Sequence, residues 1–492
     1  MSQLNIDCLN EIFKYIDDDD IVTLSSCLLV NQLWCQVSVR ILWRNVSNYN
    51  TSNFNTLIAC LPNESKKILN ENGINISTPN SKFLTFNYST FCKILSINQV
   101  HYKIELLLRN QQTISYRKLT KYTYLVVKEI LKMFMNNIPS LKSLSYLKNL
   151  NINLNLLRYN KEKVCLKNLT ELHCSSDISN KFFYQLSRIC NNLLLIGIMI
   201  KCHSIPIRLA ELISVQKNLK SFYMIIDCSM DDILCNIPLL MTKLPNTLMS
   251  LYLSAGTCNY SLSFITNFTN LQKLELSFNS TLYLDFEKLQ YANFPQLQVL
   301  IIKFARPKFE LLINFLENNG KNLKELYLDH YDNSFNLAVA KFCPNLLKLY
   351  TIFTNEELET LKMVLISCQY IESIELFCDE YLSDKKALEM IVNYSHEYLC
   401  EIVITYDYQE SRLLPEELEF FFINWTSHIP QKSLSLEIIR CENDKTSLDT
   451  DHENMKIIEK YIKLGVIKKF KITDFDINNY TLSFIMSNSY NV

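Results

Sequence analysis

The chain has 492 residues, of which 48% are hydrophobic and 20% charged, and its formal net charge is −1 at pH 7. This length exceeds what one ordinary core holds, so several domains or a repeat array are expected, and the composition excludes a disordered chain. The near-zero charge predicts no general attraction to nucleic acid or to an anionic membrane. No apolar run approaches the about 20 residues that cross a bilayer, and the polar N-terminal residues predict no signal peptide.

The cysteines and glycines narrow the possible chemistry. The seventeen cysteines are dispersed and never occur at C-x-x-C spacing, and Cys8, Cys190 and Cys235 occupy apolar positions. This favours buried thiols in a reducing compartment, the cytosol or nucleus, with a dispersed redox sensor as the alternative. The five glycines are far apart, which excludes a phosphate-binding loop and a dinucleotide fingerprint.

No motif predicts catalysis. The chain has neither an H-E-x-x-H sequence nor a G-x-S-x-G sequence, the patterns of zinc proteases and of serine hydrolases. The adjacent pair Cys202 and His203 points its side chains apart, and we interpret it as structural. We therefore expect no enzyme activity, no catalytic residues, no metal site and no cofactor.

The first 46 residues predict a small helical bundle. Leu9, Ile12, Phe13 and Ile16 follow the spacing of one helical face, and the acidic run 17–20 then predicts a solvated loop. A second helix is expected over 21–28 and a third from Val30 to about residue 43. About forty residues bury little surface on their own, so a partner or an adjoining domain must help to stabilise them.

The order of apolar and aromatic residues in this bundle is specific. It reads Leu4-x-x-Asp7-x-Leu9-x-x-Ile12-Phe13-x-x-Ile16, then Leu24-x-x-Cys27-Leu28-Leu29-Val30-Asn31-x-x-Trp34-Cys35, then Leu42-Trp43-Arg44. This pattern resembles an F-box. The family usually has proline and glutamate where this chain has Asn5 and Asp7; asparagine is a good helix N-cap and aspartate keeps the charge.

The resemblance implies a partner and a set of contact residues. F-boxes bind a Skp-type adaptor and through it a cullin–RING ubiquitin ligase. The positions implied to contact the adaptor are Leu4, Leu9, Ile12, Ile16, Leu28, Trp34 and Trp43. The alternative is that some of these side chains fill the three-helix core, which is the role that we assign to Phe13 and Val30.

Residues 47–138 predict a helical connector that packs on the repeats that follow. Helices are expected over 57–69, 91–108 and 124–135, and loops over 48–55 and 73–81.

From residue 139 to 492 the chain repeats the unit apolar-x-x-apolar-x-apolar, with less regularity after about 405. The onsets are Leu141, Leu169, Leu193, Leu219, Leu248, Leu271, Leu297, Leu323, Leu346, Ile371 and Leu399, with weaker units near Gln431 and at Ile467. Several onsets follow an asparagine. The period, about 26 residues, matches the leucine-rich repeat, in which each unit supplies a strand and a helix. The predicted fold is therefore α/β: a three-helix F-box, a helical connector and a solenoid with parallel strands on its concave face and helices on its convex face.

Strand residues between the apolar positions should face the concave side. They include Tyr223, Tyr252, Glu275, Tyr327, Tyr350 and Glu375, which we take as candidate substrate-binding residues, since aromatics with polar tips are common in recognition surfaces. Tyr223 with Tyr252, and Tyr327 with Tyr350, should be lateral neighbours about 4.8 Å apart. The alternative is that tyrosine simply favours strands.

The sequence thus leads to one functional hypothesis and two alternatives. The first is a substrate-recognition subunit of a Skp–cullin–F-box ubiquitin ligase, located in the cytoplasm, the nucleus or both. The second is a repeat scaffold without a ligase, whose F-box-like helices only cap the solenoid. An enzymatic leucine-rich-repeat protein, such as a GTPase activator, would need a catalytic arginine on the array, and the sequence singles out none.

Overall fold

The structure is a computed structural model of the chain. It describes residues 5–13, 15–16, 20–76, 85–111, 115–148, 150, 164–201, 205–226, 237–255, 261–278, 283–284, 286–304, 306–378, 382–406, 413–428, 433–441 and 447–475. Leu4, Cys202, His203, Cys235 and Gln431 lie outside the described residues. Two compact units divide the chain: the first is residues 1–220 with 243–245, and the second is residues 221–242 with 246–492.

The first unit begins with the predicted three-helix bundle. Its helices are α1 (Ile6–Phe13), α2 (Ile21–Cys27) and α3 (Gln32–Leu42). A short polar side chain caps each one: Asn5 accepts a hydrogen bond from the amide of Cys8 (2.8 Å), Asp20 from that of Thr23, and Asn31 from that of Trp34. Such caps satisfy amides that the first helical turn leaves unpaired. Asn5 thus caps the start of α1.

The connector contains more regular structure than the sequence predicts. It holds α4 (Thr51–Ala59), α5 (Asn63–Glu71), α6 (Ile97–Gln111) and α7 (Tyr116–Asn137). The loop prediction for 48–55 is wrong from Thr51 onward, because Asn50 and Asn53 form a reciprocal capping box that starts α4. The strand β1 (Ile94–Ser96) was also not predicted, since three residues are too few to show an alternating pattern.

Parallel strands and intervening helices make up the rest of the first unit. Strands β2 (Ser143–Tyr146), β3 (Glu171–Ser175) and β4 (Leu195–Ile200) follow β1 in sequence order, every pair parallel. The helices between and after them are α8 (Val164–Lys167), α9 (Asn180–Ser187) and α10 (Ile207–Ser214). Leu144, Leu172 and Ile196 lie in one register row and are fully buried, which stabilises the fold by about 1.5–3 kcal/mol for each side chain.

The second unit repeats the same arrangement. Its main strands run in the order β5 (Ser221–Ile226), β6 (Ser250–Ala255), β7 (Lys273–Phe278), β9 (Val299–Lys303), β11 (Glu325–Tyr331), β12 (Lys348–Ile352), β13 (Ser373–Phe377), β14 (Glu401–Tyr406), β15 (Leu434–Cys441) and β16 (Ile467–Phe475), all parallel. Strands β8 (Tyr283–Leu284) and β10 (Arg306–Pro307) pair with each other. The helices are α11 (Ile237–Met241), α12 (Phe309–Asn319), α13 (Asn333–Phe342), α14 (Leu358–Ser367), α15 (Asp384–Tyr394), α16 (Pro415–His428) and α17 (His452–Lys463).

These strands confirm the α/β fold and the repeat pattern. Within the described residues, a strand follows each predicted onset from Leu141 to Leu399. Both weaker units are also strands: Glu401 pairs with Ser435, and Ser435 pairs with Lys469. These last two units are longer than the others, which makes the repeat pattern harder to see in the sequence. The parallel pairing of the strands nevertheless continues through them.

The asparagines before the onsets link consecutive repeats. The side-chain amide of Asn270 donates to the carbonyl of Asn246 (2.8 Å), and that of Asn345 donates to the carbonyl of Lys321 (2.8 Å). Asn322 donates in the same way to Pro295, and Asn218 to the side-chain oxygen of Asn192. Each bond satisfies an acceptor in the loop of the preceding unit.

A second set of donors links the repeats inside the core. The thiol of Cys190 donates to the carbonyl of Leu166 (3.2 Å), and that of Cys368 to the carbonyl of Cys343 (3.3 Å). Burial raises the pKa of both thiols to about 12. Gln216 and Asn319 serve the same purpose with their amides, which donate to the carbonyls of Cys190 (2.7 Å) and Ala292 (2.9 Å).

The predicted burial of the cysteines is confirmed for Cys190 and wrong for Cys8. Cys8 is exposed, because it lies on α1 away from the apolar face formed by Leu9 and Phe13. Cys35, Cys60 and Cys400 are half-buried, Cys27, Cys92, Cys165, Cys174, Cys190, Cys343, Cys368 and Cys378 are buried, and all of these are free thiols.

A close contact between β3 and β4 explains one of the few glycines. His173 is buried, and burial lowers its pKa to about 4. Neither of its ring nitrogens has a hydrogen-bond partner among the residues that the structure describes. Gly197 is its register partner, and a Cβ atom added at Gly197 would lie 2.6 Å from Nδ1 of His173. The imidazole therefore requires glycine opposite it.

We expect Gly197→Ala to lower the free energy of unfolding by about 1–3 kcal/mol, because the new methyl group overpacks a closed site. Chemical denaturation measures the change. Combining it with His173→Ala should recover most of the loss, since the clash disappears. A Gly197→Ala protein as stable as the wild type would contradict the packing described.

Candidate functional site

Some of the predicted adaptor-contact residues are buried in the structure, and others are partly exposed. Leu9 is buried with Phe13 and Leu24 in the centre of the bundle. Ile16 and Trp34 are half-buried against that centre, with the ring of Trp34 5.4 Å from that of Phe13. Leu28 is also half-buried and Ile12 is 45% exposed. Of this set, Ile12 therefore presents the most surface, and Leu4 lies outside the described residues.

Trp43 is a core residue of the connector. It is 7% exposed, its ring lies 5.0 Å from that of Tyr49 and 4.4 Å from that of Tyr88, and its carbonyl accepts a hydrogen bond from the hydroxyl of Tyr49 (2.6 Å). Leu9 and Trp43 thus have structural roles that explain their places in the sequence pattern. Their contact with an adaptor stays a prediction that this burial does not favour.

The surface of the bundle carries apolar residues that sequence analysis did not select. Six large apolar side chains between residues 12 and 30 are at least 45% exposed. We call them the exposed apolar set: Ile12, Tyr15, Ile21, Val22, Leu29 and Val30. Val30 was predicted to be core, which is wrong: α3 starts only after the Asn31 cap, so Val30 lies in the preceding loop. The sequence could not identify this set, because the motif does not show which of its apolar side chains are buried and which are exposed.

The candidate substrate-binding residues lie in one register row of the second unit. The row reads Tyr223, Tyr252, Glu275, Ile301, Tyr327, Tyr350, Glu375, Val403, Glu437 and Lys471, each paired with the next on adjacent strands. We call the side of the sheet that carries this row the strand face. The predicted neighbours are confirmed.

The two tyrosine pairs differ in geometry. The rings of Tyr327 and Tyr350 are stacked, with centroids 4.0 Å apart and an interplanar angle of 12°. The rings of Tyr223 and Tyr252 are tilted and 6.2 Å apart. Tyr252 and Tyr350 are buried while Tyr223 and Tyr327 are half-buried, so less of the row is open to solvent than the sequence suggests.

Lys303 links two members of this row, Glu275 and Tyr327, and was not selected from the sequence. Its ammonium group lies 4.9 Å from the centre of the Tyr327 ring and 3.7 Å from a carboxylate oxygen of Glu275. Glu275 is buried and is also 3.2 Å from Lys273. Strand alternation could have identified Lys303, since side chains two residues apart share a face.

On the strand face, the carboxyl group of Glu375 has a pKa well above its usual value. Its pKa is raised to about 7, mainly because the carboxyl group is buried and in smaller part because the carboxylate of Glu437 is near. The hydroxyl of Thr405, which donates to Glu375 over 2.9 Å, and the charge of Lys303 act in the opposite direction. At neutral pH this carboxyl group is therefore partly protonated.

The described residues contain no group of three histidine, cysteine or acidic side chains close enough to bind a metal ion. Over the same part of the chain, no helix combines the length and hydrophobicity that crossing a membrane requires.

We expect Trp43→Ala to lower the free energy of unfolding by about 3–5 kcal/mol, because it leaves a cavity between Tyr49 and Tyr88. Tyr15→Ala, at a residue that is 91% exposed, should change it by less than about 0.5 kcal/mol. Equal effects of the two substitutions in urea denaturation would contradict the assignment of Trp43 to the core.

We expect Glu375→Gln to stabilise the protein only at high pH. A carboxyl group whose folded pKa is raised holds its proton in the folded state, so its contribution is present below the unfolded pKa and is lost as pH rises through about 7. The variant should gain about 1–3 kcal/mol over wild type near pH 8 and nothing near pH 4. Exposed Glu372 is the matched control, and Glu372→Gln should show no such pH dependence.

Comparison with known proteins finds solved structures that resemble this chain. No family model matches the chain, and no curated protein matches it. One of the solved structures, "Crystal structure of Rad7 and Elc1 complex in yeast", contains a chain that is 14% identical, with a TM-score of 0.37, over 91% of this chain and 94% of that one.

Proposed function

We propose that this protein is a non-catalytic substrate-recognition subunit of a Skp–cullin–F-box type ubiquitin ligase, acting in the cytoplasm or nucleus. Its N-terminal bundle would bind the Skp-type adaptor, and its repeats would bind a protein substrate.

The observation that carries this proposal is the exposed apolar set. Six of the 26 large apolar side chains that are exposed in the described residues fall between residues 12 and 30. The bundle already has a packed centre of Leu9, Phe13, Leu24, Cys27 and Val37, so these six are not needed for its own core. Concentrated apolar exposure is typical of a binding surface.

The repeats support the second half of the proposal. The strand face of the second unit presents stacked tyrosines beside charged side chains of both signs, a composition suited to binding protein. Such a subunit needs no catalytic group, because holding a substrate beside a ubiquitin-loaded enzyme raises the effective concentration of the reacting groups.

A second candidate function, an N-terminal cap without ligase recruitment, also has an observation in its favour. The carbonyl of Arg44 accepts hydrogen bonds from the amides of Lys93 (2.8 Å) and Ile94 (3.0 Å), and Asn45 forms a parallel bridge with Ile94. The end of the bundle therefore adds to the edge of β1. A cap alone, however, gives no reason for the exposed apolar set.

We expect Ile12→Asp combined with Leu29→Asp to weaken adaptor binding at least tenfold, since both changes place a charge in an apolar interface. The measurement is a titration of the purified full chain with a Skp-type adaptor. The thermal midpoint should stay close to that of wild type, because both side chains are exposed.

The matched control is Ile207→Asp, a 75% exposed isoleucine on α10, which should bind the adaptor like wild type. If the double variant binds normally, the exposed apolar set is not the adaptor surface. If the wild-type chain does not bind the adaptor at all, the ligase proposal fails and the cap function remains.

A further inference from the structure

The helices of the last repeats lie side by side, and side chains bridge two of the grooves between them. The ammonium group of Lys362 on α14 lies 5.0 Å from the centre of the Tyr394 ring on α15. Two repeats further on, Glu419 of α16 accepts hydrogen bonds from Tyr461 (3.0 Å) and from Lys460, both on α17. Each of these two grooves is therefore crossed by contacts between its own walls.

The groove between α15 and α16 has such a bridge at one end, where Lys385 lies 2.7 Å from Glu417. The groove has a volume of about 360 Å³, which is within the range of ligand-binding sites. Leu388 and Phe421 line it and are buried, so its floor is apolar. Since the α15 wall runs from Lys385 to Asn393, the groove is about 12 Å long, or about two helical turns.

An aromatic ring on the α16 wall of this groove lies in solvent. Phe420 lines the groove and is 60% exposed, although its neighbour Phe421 is buried. An exposed ring beside an apolar floor adds nothing to the core of the repeat and is typical of a surface that a partner covers.

The charges around the groove are mostly acidic. Its lining contains three glutamates, Glu389, Glu416 and Glu417, and one lysine, Lys385. Because Lys385 is paired with Glu417, the exposed residues Glu389 and Glu416 determine the charge that an arriving partner meets. A twofold contact with a second copy of this face would place these acids opposite each other and is disfavoured. A partner with a positive charge is favoured.

We propose that this groove binds a short segment of a partner protein, in which a large apolar side chain lies within one helical turn of a lysine or arginine. The apolar side chain packs on the floor against Phe420, and the basic group lies beside Glu389 and Glu416. This inference goes beyond the proposed function and does not depend on it, because the groove lining contains none of the residues assigned to the adaptor or to the substrate.

The test uses the full-length protein and a phage-displayed library of random peptides. The library is first depleted on Phe420→Asp and then selected on the wild type, so that the peptides retained are those that need the groove. They should combine a large apolar residue with lysine or arginine. In hydrogen exchange, a synthetic peptide of the selected sequence should protect the amides of α15 and α16 in the wild-type protein.

Substitutions in the groove should weaken the binding of this peptide. Phe420→Ala should do so at least tenfold, whereas Ile423→Ala, at a 49% exposed position of α16 outside the lining, should have no effect. Glu389→Gln combined with Glu416→Gln should weaken binding about tenfold and reduce its dependence on salt. The matched control is Glu397→Gln combined with Glu459→Gln, which removes two exposed acids outside the lining.

Several outcomes would overturn the inference. One is a selection that yields no peptide, or peptides without basic residues. Another is a peptide that protects amides outside α15 and α16, or that binds both double variants equally well. Self-association of the wild type that Phe420→Asp abolishes would assign the groove to a second copy instead. The adaptor titration is independent of all these results, so the inference and the proposed function can fail separately.

Discussion

The parallel pairing of each strand with the next is the constraint on which this structure depends. A single unit of about 26 residues cannot bury its apolar strand residues alone, so each unit needs its neighbours in register. Leu251, Leu274 and Leu300, for instance, occupy one row and are fully buried. That same register places the tyrosines, Glu275 and Glu375 side by side on the strand face. The packing of the core therefore determines which side chains lie next to each other on the strand face.

Much of the fold could be predicted because the constraint is visible in the sequence. The onsets at Leu141 to Leu399 repeat the apolar spacing of a strand, and even the weak unit at Ile467 follows it. The elements that escaped prediction depend on something else. Strand β1 is too short for a pattern, and α4 depends on a reciprocal hydrogen bond between Asn50 and Asn53 that an asparagine-rich segment equally suggests for a loop.

The candidate sites were harder to predict, for a physical reason. An apolar residue in a helical pattern can face its own core or a partner, and the spacing is the same for both. Leu9 and Trp43 proved to be buried, while Leu29, adjacent to a selected residue, is 88% exposed. On the strand face, the row was predictable from alternation, but the contact of Lys303 with Tyr327 depends on side-chain conformation. The shift in the pKa of Glu375 depends on burial, which a linear pattern does not contain.

The hydrogen bonds between repeats give the array a direction. Cys190, Gln216 and Asn319 each donate to a carbonyl of the unit before them, and so do Asn270 and Asn345. Each such unit thus brings its own donor and offers an acceptor to the next. If the array gained units by duplication, its two ends would therefore have different requirements. A unit added after an existing one must carry a donor. A unit added before it needs only free carbonyls. Because a thiol and two kinds of amide fill the same role, the repeats could diverge in sequence at this position while the rule of attachment stayed the same.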